Sequence, residues 1–186
     1  MLLVLAATLC GGELRGASVE ASPPETNSPE ATLEYQVKAA FLYNFTRYVK
    51  WPKEAFDDER SPIVVAVLGS DPFGITLDKV FAGKTASGRR IQVTRFASTA
   101  KLEKCHLLFV PRDETESLPL LAKHLAGAPV LIVGESKDFA VEGGEINFYI
   151  DKKKVHFEIN KMAAERAKLE ISSQLLKLAR IVEDKR

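Results

Sequence analysis

Three apolar runs constrain this chain most: IVVAVL at 63–68, CHLLFV at 105–110 and PVLIV at 129–133. None alternates with polar residues, so each reads as a strand buried on both faces. Strands of that kind belong in a parallel sheet with helices on either side, and the intervening segments supply them. Residues 73–82 read as one helix. Residues 114–126 read as another, with Leu118, Leu121, Ala122 and Leu125 on one face and Gly127 at its end. Residues 90–95 (RIQVTR) alternate and read as a further strand. Later, INFYI at 146–150 and VHFEI at 155–159 flank Asp151-Lys152-Lys153-Lys154, the pattern of a hairpin. The expected fold is an α/β layered sandwich with a mixed, largely parallel sheet, flanked by helices and extended by a C-terminal β-hairpin.

The segments outside the strands are helical in pattern. Residues 37–52 read VKAAFLYNFTRYVKWP and hold five of the chain's aromatics: Phe41, Tyr43, Phe45, Tyr48 and Trp51. Ser28-Pro29-Glu30 makes a helix start, with Ser as N-cap, Pro in the first turn and an acid after it. The helix is expected to run to about Lys50, where Pro52 forces Trp51 out of the helical region. Leu33, Val37, Ala40, Phe41, Asn44 and Tyr48 form its apolar face, widened by Phe45; Glu34, Lys38, Arg47 and Lys50 lie elsewhere. It reads as a core helix laid against the sheet, since aromatic faces supply buried area, with a ligand or partner surface as the alternative. Near the other end, Asn160 caps a short helix at 161–167, and residues 169–171 are extended. Ser172 caps a final amphipathic helix reaching Val182, with Leu175, Leu178, Ala179 and Val182 as its inward stripe. Leu176 and Ile181 lie on its flanks beside Lys177 and Arg180. With Ile171 they form a candidate surface for a partner or a second subunit, or else pack on the helix at 161–167.

The N-terminus is different in kind. Residues 2–10 (LLVLAATLC) are too few to span a bilayer but fit the apolar core of a secretory signal. Val19-Glu20-Ala21 resembles a cleavage site, so residues 1–21 read as a signal peptide, 22–30 as a linker and 31–186 as one domain. Export then leaves Cys105 as the sole cysteine of the mature chain, which excludes an internal disulfide and predicts a buried thiol. A net charge of +1, with no basic cluster beyond the hairpin lysines, gives no footing for nucleic acid.

A parallel sheet invites a search for nucleotide motifs, and it comes back empty. Gly83-Lys84-Thr85 resembles the end of a phosphate loop, but Asp78 stands where the first glycine belongs and a helix precedes it. Gly69 and Gly74 have the wrong spacing for a dinucleotide fingerprint. His106, His124 and His156 are isolated, and Cys105 and His106 point to opposite faces of a strand. Ser136 lacks the second glycine of a nucleophile elbow. Asp71 follows the first buried strand, where a parallel sheet places sites, yet Ser70-Asp71-Pro72 also makes an ordinary capping turn. No catalytic, cofactor or metal residues are assigned.

Five stretches together resemble one family: residues 37–52, VLGSDPFG (67–74), CHLLFV, INFYI and VHFEINKMAAERAKLEISSQLLKLARIV (155–182). Their order and spacing are similar to the YfiR family of exported bacterial proteins, over roughly residues 34–182. The resemblance implies a periplasmic, non-enzymatic repressor that forms homodimers. It binds the periplasmic sensor region of an inner-membrane diguanylate cyclase, or another membrane signalling protein such as a sensor kinase. It thereby keeps cyclic-di-GMP and biofilm formation low, without entering the membrane itself. The family's namesake carries disulfides; Cys105 matches one of its cysteines, but Ala66 stands at the partner position and the pair near the hairpin is missing. The alternative is a periplasmic small-molecule receptor, with a cleft beyond the carboxyl ends of the strands at Gly69, Ser70, Asp71 and Gly134.

Overall fold

The computed structural model describes residues 29–185. The apolar run at 2–10, the cleavage site at Ala21 and the capping Ser28 lie outside the described residues. Pro29 and Glu30, assigned to the linker, already belong to the first helix.

Each apolar run forms a strand. β2 (Ile63–Leu68) follows the first helix, α1 (Pro29–Tyr48), and a two-residue strand, β1 (Val49–Lys50). α2 (Ile75–Phe81), β3 (Thr85–Ala86) and β4 (Arg89–Phe96) come next, then β5 (Leu107–Val110), α3 (Leu118–His124) and β6 (Leu131–Gly134). The hairpin is β7 (Ile146–Asp151) and β8 (Lys154–Asn160). α4 (Lys161–Arg166), β9 (Glu170–Ile171), α5 (Ser173–Leu176) and β10 (Arg180–Val182) complete the chain. The main sheet runs β10-β8-β7-β6-β5-β2-β4-β3, and β1 pairs with β9 in a small separate ladder. β4, β2, β5, β6 and β7 are mutually parallel; β7–β8 and β3–β4 are antiparallel. The largely parallel sheet and its C-terminal hairpin are therefore as the sequence indicates.

Alternate residues of the central strands enter two different cores, which is why the runs are apolar throughout. Val65, Val67, Leu107, Phe109, Leu131 and Val133 join the core under α1 and α2. Ala66, Leu68, Leu108, Val110 and Ile132 face the other way, toward α3. The order explains the split. From β2 the chain crosses outward to β4 through α2, then returns past β2 to β5 and goes on to β6 through α3. Right-handed crossovers in opposite directions put α2 and α3 on opposite faces. Cys105 is buried as a free thiol in the α3 core, which also holds Ala66, although the register sets Ala66 opposite Leu108.

α1 departs from its expected stripe. Its buried side chains are Lys38, Ala39, Leu42, Phe45 and Thr46, while Leu33 is 62% exposed. The helix is rotated so that small Ala39 admits a close approach to the sheet. The large rings of Phe41, Tyr43 and Tyr48 pack half-buried along its flanks. Phe45 stacks on Phe148 at 5.6 Å and meets Phe157 edge-on at 5.2 Å. The helix stops at Tyr48, because Val49 and Lys50 pair with Ile171 and Glu170. Trp51 closes that end, donating its indole N–H to the His106 carbonyl at 3.0 Å.

The C-terminus is the larger correction. Ser172 does cap a helix, accepting from the Leu175 N–H at 3.3 Å, but α5 is only four residues long. Residues 180–182 are a strand, parallel to β8, with Ile181 opposite Ile159. Leu175 is buried as expected, whereas Leu178 is 73% exposed and belongs to no inward stripe. The open edge of β8 offers a backbone ladder, and those hydrogen bonds outweigh a helical period sustained by only four apolar positions. The helix expected at 114–126 also divides, into a 3₁₀ segment (Arg112–Ser117) and α3.

Candidate functional site

The carboxyl ends of β2, β5 and β6 meet at the point where the strand order reverses, the usual place for a site in such a sheet. α1 runs over this edge and lowers Lys38 into it. The Lys38 ammonium sits between the carboxylates of Glu34 and Glu135, and both Lys38 and Glu135 are buried. The other oxygen of Glu135 accepts from Tyr35 Oη at 3.1 Å and from the Arg112 N–H at 3.2 Å. Burial beside these carboxylates raises the Tyr35 hydroxyl well above its ordinary pKa. Sequence reasoning missed both charges. Lys38 shares a helical face with Leu42 and Phe45, and Glu135 directly follows a buried strand; those two placements were the available signals.

The four residues proposed to line a cleft lie around this edge, each occupied by the protein's own groups. Gly69 has φ +64°, and the space a Cβ would need is filled by the Glu114 carboxylate. Ser70 donates to Asp113. Asp71 caps its turn by accepting the Phe73 N–H at 2.8 Å and pairs with Arg95 at 2.7 Å. Arg95 also binds Asp78 at 2.7 Å, which keeps that carboxyl below the usual range. Gly134 lies directly under the Phe139 ring. The arrangement is a polar seam tying α1 to three strand ends.

The five proposed partner residues do not share one surface. Ile171 on β9 and Leu176 at the end of α5 are half-buried against the main core. Lys177 is exposed. Ile181, half exposed, sits on the terminal strand of the sheet, whose outer edge has no strand partner among the described residues. Arg180 projects to the opposite face, where it pairs with the Glu158 carboxylate and lies 4.3 Å from the Tyr149 ring centroid. Glu158 also accepts from Asn147 Nδ2 at 3.0 Å, and His156 stacks on Tyr149 at 5.5 Å. This sheet face, carrying Asn147, Tyr149, His156, Glu158 and Arg180, was not anticipated, because a strand at 180–182 is needed to assemble it.

The other histidines are separate. His106 is buried against Phe56, its ring stacked at 4.5 Å. Its Nδ1 accepts from the Val64 N–H at 3.0 Å, so the proton resides on Nε2. Burial, with Lys104 and Arg89 nearby, lowers its pKa to about 4. Among the described residues no group of three His, Cys, Asp or Glu side chains could hold a metal ion. No described helix is long and apolar enough to cross a membrane.

Comparison with curated proteins gives no match. Among solved structures the chain is similar to the ABC domain in complex with L-Trp from Streptococcus pneumonia, at 16% identity and a TM-score of 0.48. That likeness covers 64% of this chain and 55% of the other, so the chain spans about half that structure's length, and it carries no functional weight. The sequence itself is decisive: from Tyr35 on α1 to Arg180 on β10, residues 35–180 match the YfiR/HmsC-like family, and the chain belongs to it.

Proposed function

We propose that this chain is an exported regulatory protein that binds the periplasmic region of an inner-membrane signalling protein, a diguanylate cyclase in the first instance, and holds its activity down. Cyclic-di-GMP and biofilm formation then stay low while the complex persists. The observation that carries this reading is the family match across residues 35–180. The secretory pattern of residues 2–21 supports the compartment.

The partner surface is the sheet's outer strand. Ile181 is exposed on that strand, and Lys177 and Leu178 are exposed in the turn that leads into it, so apolar anchors and a positive charge occur at this edge. Leu176 and Ile171 lie behind that surface, half-buried against the main core. A homodimer through the same edge, by strand-to-strand pairing, competes with the membrane partner for it. Pull-down from solubilised inner membrane, with cyclic-di-GMP measured in a deletion strain, tests the proposal. Recovery of a cyclase and a rise in cyclic-di-GMP are expected; unchanged levels with no membrane partner recovered refute it.

A further inference from the structure

A cavity of about 240 Å³ opens between α3, the start of β6 and α4, at the end of the sheet opposite the polar seam. Its walls are mostly small and apolar, including Ala122, Leu125, Ile132 and Ala163, and Arg166 of α4, held by its pair with Asp184, also lines it. One carboxyl group lines it, that of Glu145, which is 5% exposed. Glu145 Oε2 accepts the Ile132 N–H at 2.8 Å. The nearest charges are Arg166 of α4 and Asp184 of the C-terminal tail. Those two pair with each other at 2.5 Å, and among the described residues Glu145 has no salt bridge of its own. α3 and β6 present apolar side chains to the cavity.

A buried acid without a counter-ion normally stays neutral, and desolvation raises Glu145 to a pKa of about 8. A Gln side chain could accept the same Ile132 N–H without a titrating group, so the fold does not require an acid here. A cation brought into the cavity would complete it: the carboxyl loses its proton, and the ammonium group takes the place of the missing partner. Size limits the rest of the ligand. A dry cavity of about 150 Å³ holds benzene, so this one accommodates a single ring or a short alkyl chain bearing one amine.

We propose that the Glu145 cavity is a binding site for a small organic ammonium ion, with the charged nitrogen on the Glu145 carboxylate and the apolar body between α3 and α4. The proposal stands apart from the regulatory reading, which uses the other side of the hairpin.

Benzylamine is a suitable probe, titrated into the mature protein by calorimetry, with benzyl alcohol as its neutral counterpart. Binding of the ammonium ion releases one proton, so affinity should rise close to tenfold per pH unit between about pH 6 and pH 7.5, where the amine stays charged. Benzyl alcohol should bind more weakly and without that slope. Glu145→Gln, which mimics the neutral acid and preserves the fold, should cost at least about tenfold in benzylamine affinity and abolish the slope. Ala122→Leu, at a half-buried position in the cavity wall, should block both probes with the melting temperature little changed. The proposal is overturned if benzylamine shows no saturable binding, if it binds no better than benzyl alcohol, or if Glu145→Gln leaves its affinity and pH dependence intact.

Discussion

Replacing Lys38 by Met tests the buried seam most directly. Methionine matches the length and apolar stem of lysine and suits a helix, so volume and propensity change little. What is lost is the ammonium between Glu34 and Glu135. Glu34 is part-exposed and can turn to water, but Glu135 is buried and keeps only two neutral donors, Tyr35 Oη and the Arg112 N–H. Removing one member of a buried pair costs about 3–5 kcal/mol, since the remaining charge is left unpaired. The two remaining donors place Lys38→Met near the lower end, about 3 kcal/mol. Glu135→Gln should cost less, about 1–2 kcal/mol, because Lys38 retains Glu34 as counter-ion. The double variant should then be more stable than the sum of the singles predicts, with a coupling of about 1–3 kcal/mol. Urea titration followed by circular dichroism gives each value, and a 3 kcal/mol loss moves the midpoint by roughly 1–3 M. A Lys38→Met loss below about 1 kcal/mol, or strict additivity, refutes the assignment of the pair as a buried tie.

Two shifted groups give a pH signature. Glu145 titrates above its unfolded value, so its contribution is complete below about pH 4.5 and is lost as pH rises toward about 8; His106 titrates below its unfolded value, so its contribution is present above about 6.5 and is lost as pH falls toward about 4. The opposing slopes offset each other between about pH 4.5 and 6.5, and stability then declines toward pH 8; in Glu145→Gln that decline should vanish, and a variant with the wild-type profile counts against the reading. Leu176→Glu, placed against the core, should lower stability by about 2 kcal/mol, while Ile181→Glu should leave the melting temperature unchanged and weaken partner capture; the reverse pattern would reassign both residues. Cys105, whose thiol burial raises to about 12, should react with a thiol reagent only after denaturant is added, and rapid native labelling would contradict its placement.

The parallel centre of the sheet was legible because doubly buried strands leave an unmistakable run in the sequence. IVVAVL, for example, occupies β2 end to end. The hairpin and the caps at Asn160 and Ser172 were legible for local reasons, each resting on a few adjacent residues. What escaped was set by tertiary contact. The short ladder of β1 with β9 joins segments that each hold two residues, too few to show a period. Residues 180–182 carried a helical pattern that the waiting edge of β8 overrode. Lys38 read as a solvent-facing charge because burial of a lysine depends on a carboxylate nearly a hundred residues later. The Glu145 cavity forms from four separate segments, none of which signals it alone.

The ladder of β1 with β9 has a consequence for when this chain can fold. It joins residues about 120 positions apart, close to the two ends of the described chain. The core beside it is sealed by Leu42 and Phe45 from the first helix and by Leu169 and Leu175 from nearly the last segment. Closing so long a loop is entropically slow, and contacts of such separation form late. A chain emerging amino end first holds its most aromatic helix until residues 169–175, more than a hundred positions later, arrive to match it. The main core therefore closes late, only once the segment at 169–175 is available to Leu42 and Phe45. Under the proposed export, that delay suits passage of an unfolded chain through a translocation channel, with the core closing on the far side.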